Sequence, residues 1–293
     1  MSESTDQYAL PADFSDRVFG VLLAAADGAT HARDGDEPGE SETLALYLLD
    51  GLLEALEWAQ QGVASDEAAC MWLGGLRWYK LVTGSFPEDS PRPLPRWIDE
   101  AFAGSGNFAP GDTQNLLALA NPDMATVGRP AFREADSAGV LTRAALVALL
   151  PRVDEDTTRR IAVDASALTH GSPAAHRAAG QAALVIRAAL ESGTDSIPAW
   201  ASLVADLEGE AGAALALVVG YVGEGLALAD PRAAYDCVFE ALGEEPDIDT
   251  AAFAAMLLAA VQGTDAVAHR PASVLDTVLD SMHDRWVALT VGQ

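Results

Sequence analysis

The sequence predicts an all-helical protein in a single compact domain. Two observations carry this. Strand signals are almost absent while alanine and leucine dominate, and apolar positions recur at helical spacing between regularly placed breakers. No proline-, glycine- or serine-rich linker and no internal period divides the chain, so residues 1–13 read as a polar leader and 14–293 as one domain.

The elements follow in order. Phe14 to Ala26 opens the organised part. From Glu42 the residues Leu44, Tyr47, Leu48, Gly51, Leu52, Ala55 and Leu56 lie on one helix face. Asp66 to Val82 carries Met71, Trp72, Leu76 and Tyr79 and stops before Gly84. Phe86 to Pro95 holds four prolines and reads as an ordered loop. Thr113–Leu119, Ala138–Leu150 and Asp156–Leu168 alternate with breakers. Ser172-Pro173 then starts a long helix to Leu190, with serine as the cap and proline at the first helical position. Ile197–Leu207, Glu210–Leu228, Arg232–Leu242, Thr250–Val261 and a last stretch from Ala272 complete the set.

Charge excludes one class of partner. Lys+Arg total 17 against 44 Asp+Glu, a formal net charge of −27, so a nucleic acid would be repelled. Lys80 is the only lysine, and the acids are spread over the whole chain. That pattern reads as adaptation to strong salt: at molar ionic strength the screening length falls to about 3 Å, and acidic surfaces stay soluble. The acidic N-terminus is unlike a secretion signal, and no long uncharged apolar run predicts a membrane span. Cys70 and Cys237 make no metal or redox spacing. The expectation is a cytoplasmic protein without membrane or nucleic-acid partners.

Single residues point to no chemistry. The five histidines form no HExxH, and His170 alone reads as a helix C-cap. Taken in order, however, several segments resemble one family. Gly20-Val21-Leu22-Leu23-Ala24-Ala25-Ala26-Asp27-Gly28-Ala29 is similar to G-A-L-L-G-x-A-x-G-D-A, and Glu40-Ser41-Glu42-Thr43-Leu44-Ala45-Leu46 to T-D-D-T-Q-M-A-L, matched at its closing A-L. Pro110-Gly111-Asp112-Thr113 is similar to R-x-P-G-x-T, and Ser137-Ala138-Gly139-Val140-Leu141-Thr142-Arg143 sits where G-N-G-x-x-M-R stands. Ala167-Leu168-Thr169-His170-Gly171-Ser172-Pro173 follows A-x-L-T-H-x-x-P, and Gln262-Gly263-Thr264-Asp265 takes the place of N-x-G-G-D-T-D-T. The pattern resembles that of the ADP-ribosylglycohydrolases.

The resemblance implies an all-helical fold whose central cleft binds ADP-ribose, or an ADP-ribosylated protein, beside two magnesium ions. It implies hydrolysis of the glycosidic bond at the ribose. Metal ligands would come from Asp27, Glu40, Ser41, Glu42 and Asp265, with Glu40, Glu42 and Asp265 acting in catalysis. Gly111, Gly139, Thr142, Arg143 and His170 would contact the ligand; helix capping is the competing reading of Gly139 and His170. The chain departs from the family at each metal segment. Ala29 stands at the first acid unless a slip in register brings in Asp27, the paired aspartates become Glu40 and Ser41 with Glu42 where a threonine is expected, and the last pair shrinks to Asp265. Two further readings therefore stand beside the hydrolase: a binding protein for ADP-ribose or a nucleotide that has lost catalysis, and a helical interaction scaffold. The departures predict weak or absent magnesium-dependent hydrolysis with ADP-ribose binding retained.

Overall fold

A computed structural model describes residues 10–291 except 34, 36 and 272. Most of the polar leader, Ala272 and residues 292–293 lie outside the described residues. The helices are α1 (Phe14–His31), α2 (Glu40–Gln60), α3 (Glu67–Thr83), α4 (Trp97–Ala101), α5 (Thr113–Leu119), α6 (Gly139–Val147), α7 (Glu155–Ala167), α8 (Pro173–Ser192), α9 (Ile197–Val204), α10 (Gly209–Gly225), α11 (Pro231–Leu242), α12 (Ile248–Gln262) and α13 (Ser273–Thr290). Among the described residues there is no strand, only isolated bridges such as Gly39 with Ala109. No helix among them is long and apolar enough to cross a membrane.

The core is organised round α12. Every residue from Asp249 to Val261 is buried, so this helix is apolar on all sides, and α1, α6, α8, α10 and α11 enclose it. Helix α1 lies closest. A Cβ on Gly28 would come within 2.5 Å of the Ala251 carbonyl oxygen, and one on Gly20 within 2.6 Å of Gly263. Only glycine permits that approach, and α1 runs on past the expected Ala26 through Asp27-Gly28-Ala29 to His31. The expected cap of α8 is present: Ser172 Oγ accepts from the Ala174 N–H at 3.1 Å, with Pro173 at the first helical position. The short α4 has no counterpart in the sequence reading.

A buried charge cluster joins α2, α3 and α4. Asp50, fully enclosed, accepts from Arg77 (3.0 Å), Arg96 (2.7 Å) and the Trp97 indole (2.7 Å). Arg96 also pairs with Glu57 at 3.0 Å, and Asp99 takes the Arg96 backbone N–H at 2.7 Å.

Candidate functional site

Four segments meet at the N-terminal end of α12. Gly39 pairs with Ala109, which sets the start of α2 beside the turn Pro110-Gly111-Asp112. Gly111 is required there: a Cβ would lie 2.6 Å from Ser41 Oγ. Its N–H donates to Glu40 (3.2 Å), and the Asp112 N–H donates to Ser41 Oγ (3.3 Å). Ser41 in turn donates to Asp249 Oδ2 at 3.3 Å. The start of α6 closes the ring, with a Cβ on Gly139 only 2.7 Å from Asp112 Oδ2. Between them is a cleft of 320 Å³ lined by Gly111, Asp112, Ser137, Gly139, Asp247 and Asp249. A second hollow of 440 Å³ shares Ala138 and Asp247 and runs on past Glu210, Leu217 and Tyr221.

The carboxylates of this cleft differ sharply. Asp112 Oδ1 caps α5 through the Gln114 N–H (2.9 Å), and Oδ2 takes Ser137 Oγ (2.5 Å) and His170 Nε2 (2.9 Å). Burial opposes its charge, but the His170 and Ser137 donors outweigh it and hold the carboxyl well below the ordinary range. Asp249 is the opposite case. Oδ1 is buried with no hydrogen-bond partner. Burial first, then the neighbouring Asp247, pushes it up from 3.8 to about 7. Beneath the cleft Arg143 is enclosed and gives its protons to Gly139 O, Asn115 Oδ1 and Thr169 Oγ1. Burial lowers its pKa against the pull of Asp112 and Asp249.

Asp249 ties stability to pH. Between 3.8 and about 7 the folded chain holds a proton that the unfolded chain has released. Stability from this group is thus complete at low pH and lost as pH rises through about 7. In metal-free buffer, Asp249→Asn is expected to flatten the fall in melting temperature across that window. An identical slope in wild type and variant would contradict the burial of an unsatisfied carboxyl.

The sequence profile of the ADP-ribosylglycohydrolase family matches residues 10–292. The chain belongs to the ADP-ribosylglycohydrolase family. A solved structure, an ADP-ribosylglycohydrolase-related protein complex, is similar in fold: TM-score 0.58 at 19% identity, over 95% of this chain and 98% of that one. No curated protein sequence matches.

Within this family member, the sequence-derived site residues divide. Glu40, Ser41, Gly111, Gly139, Arg143 and His170 surround the cleft or support it. Thr142 is buried in α6, its hydroxyl without a hydrogen-bond partner. Three expected ligands do not come together with them. Glu42 spends its carboxylate on the Gly39 N–H (2.7 Å) and Arg33 (2.6 Å), as the N-terminal cap of α2. Asp27 clamps the Ala268 and His269 N–H groups at 2.8 and 3.0 Å. Asp265 is exposed beyond the far end of α12, whose 15 residues put it about 22 Å from Asp249. The expected convergence of Glu42 with Asp265 is therefore corrected, and the reason is one of register. The D-x-D-[TS] pattern sought at the C-terminal segment is met earlier, at Asp247-Ile248-Asp249-Thr250, immediately before the alanine-rich α12. Sequence reasoning also missed Asp112 and Ser137 as cleft residues.

Among the described residues no three His, Cys, Asp or Glu side chains converge as a metal cage. Of the ligands expected for a two-ion centre, Glu42 caps α2 and Asp265 lies far off, and the cleft holds Ser41 with Asp247 and Asp249 in their place. One magnesium ion does fit, because it needs only one or two carboxylates with water and ligand oxygens. The unsatisfied Asp249 Oδ1 beside Asp247 and the Ser41 hydroxyl supplies that set.

Proposed function

We propose that this cleft binds the ribosyl end of an ADP-ribosyl compound and hydrolyses its glycosidic bond with one magnesium ion in place of two. The observation that carries the reading is Asp249, a buried carboxylate with one oxygen unsatisfied, facing a cleft that already holds Asp112 and Asp247. Asp247 and Asp249 would hold the ion, with Ser41 alongside. When bound, it supplies positive charge to ligand oxygens and acidifies a water.

The chain's own residues do the rest. Asp112 is kept ionised by three donors and offers negative charge where an oxocarbenium-like transition state develops it. Gly111 and Gly139 keep the approach to that carboxylate open. The hollow past Glu210 and Tyr221 gives the remainder of a nucleotide-sized ligand somewhere to lie. Binding without turnover is the second reading, favoured by Ser41 standing where the family pattern has a carboxylate.

Calorimetry with ADP-ribose in concentrated KCl, beside release from an ADP-ribosylated peptide with and without magnesium, separates the two. Slow release that needs magnesium, is lost in Asp249→Ala and survives Asp265→Ala is the expected result. Heat of binding without release supports the non-catalytic reading, and neither signal leaves a scaffold.

A further inference from the structure

His170 is completely enclosed, and its two ring nitrogens have different neighbours. Nε2 lies 2.9 Å from Asp112 Oδ2 and 2.7 Å from Ser137 Oγ; Nδ1 lies 2.9 Å from Thr169 Oγ1. Thr169, itself buried, already accepts from the Arg143 guanidinium. Its hydroxyl proton then has one acceptor within reach, the bare Nδ1 of His170. The opposite tautomer would strand that proton in a dry interior, and with Ser137 turned to donate to the bare Nε2 it would strip Asp112 Oδ2 of both its donors. Hydrogen-bond satisfaction thus selects the Nε2–H form, which donates to Asp112.

The consequence falls on Asp112. Gln114 N–H holds Oδ1, while Ser137 Oγ–H and His170 Nε2–H hold Oδ2. A carboxylate has room for about four hydrogen bonds, so three donors fix its plane and leave one acceptor position. Gly139, which lacks the Cβ that would cover Oδ2, keeps that side open to the cleft.

The geometry points to Asp112 as the carboxylate that meets the reacting ribose carbon, aimed by a relay of positioning residues running from Arg143 through Thr169 to His170, with Ser137 as a second brace. The catalytic part rests on the hydrolytic reading above; the relay does not. No group is transferred to Asp112 in this scheme. It offers charge to the developing cation at the anomeric carbon.

Histidine-selective 15N labelling of the full chain in concentrated KCl reads the tautomer from the two ring nitrogens, with His170 assigned by its loss in His170→Gln. Wild type and Thr169→Ser are expected to carry the proton on Nε2. Thr169→Val should shift the proton towards Nδ1 and lower kcat roughly tenfold to a hundredfold, with KM changed less than about twofold. Asp112→Asn should lower kcat by about a hundredfold or more. A wild-type His170 protonated on Nδ1 overturns the relay whatever the turnover. So does a Thr169→Val that matches wild type in both nitrogen signals and kcat. A wild type that releases nothing, yet whose His170 signals move with ADP-ribose, overturns the catalytic assignment of Asp112 and the hydrolytic reading together while upholding the relay.

Discussion

Asp50→Ala is expected to cost about 3–5 kcal/mol of folding stability, and to lower the melting temperature by about 10 °C. Asp50 takes Arg77, Arg96 and the Trp97 indole into one enclosed carboxylate, and Arg77 is itself 3% exposed. Removal leaves the Arg77 guanidinium with only distant partners, Glu54 at 3.7 Å and Asp99 at 3.6 Å. The cost is that of an uncompensated buried cation, which exceeds the net worth of the pairs themselves. Asp50→Asn keeps an acceptor for Trp97 and should fall between. Because the network is dry, the loss should be the same in 1 M and 3 M KCl. A shift of a few degrees that shrinks with added salt would show that water already reaches the cluster.

The whole fold is expected to respond in the other direction. With 44 acids against 17 bases the surface repels itself, and the screening length grows to about 30 Å in 0.01 M salt. The repulsion is visible locally. Burial raises the Glu210 pKa, and the nearby Asp247, Asp136 and Asp112 add to it. Melting temperature should rise steeply, by tens of degrees, from dilute buffer to molar KCl. A melting point unchanged on dialysis into dilute buffer would assign the acids some role other than surviving in salt.

The same surplus of acids explains what could and could not be read from the chain. Helical periodicity is a pattern over many residues, so α2, α3 and α8 were recognisable, α8 with its Ser172 cap. So was the family, because its motifs recur in order. A functional carboxylate is a single residue, and here it sits among 44 acids spread over the whole chain. Asp265 stood next to a familiar glycine and drew the assignment, whereas Asp247 and Asp249 looked like ordinary acids at a helix start. Asp247 does cap α12, through the Thr250 N–H at 2.8 Å, and Asp112 does cap α5. Each plays a structural part that conceals its place in the cleft. The Asp-x-Asp-Thr spacing ahead of an alanine-rich run was the signal that could have separated them. Glu42 erred the other way: its position in the motif suggested a ligand, while its spacing from Gly39 is that of a helix cap.

One wall of the cleft hangs on α12, which is packed on every side and cannot move without opening the core. The facing wall is built from the turn at Pro110–Asp112 and the non-helical chain leading to Ser137, held by side-chain hydrogen bonds in place of interlocked helices. The two walls therefore differ in stiffness. Asp249 is held by the packing of a whole helix, whereas Asp112 on the facing side is held by the side chains of Ser137 and His170.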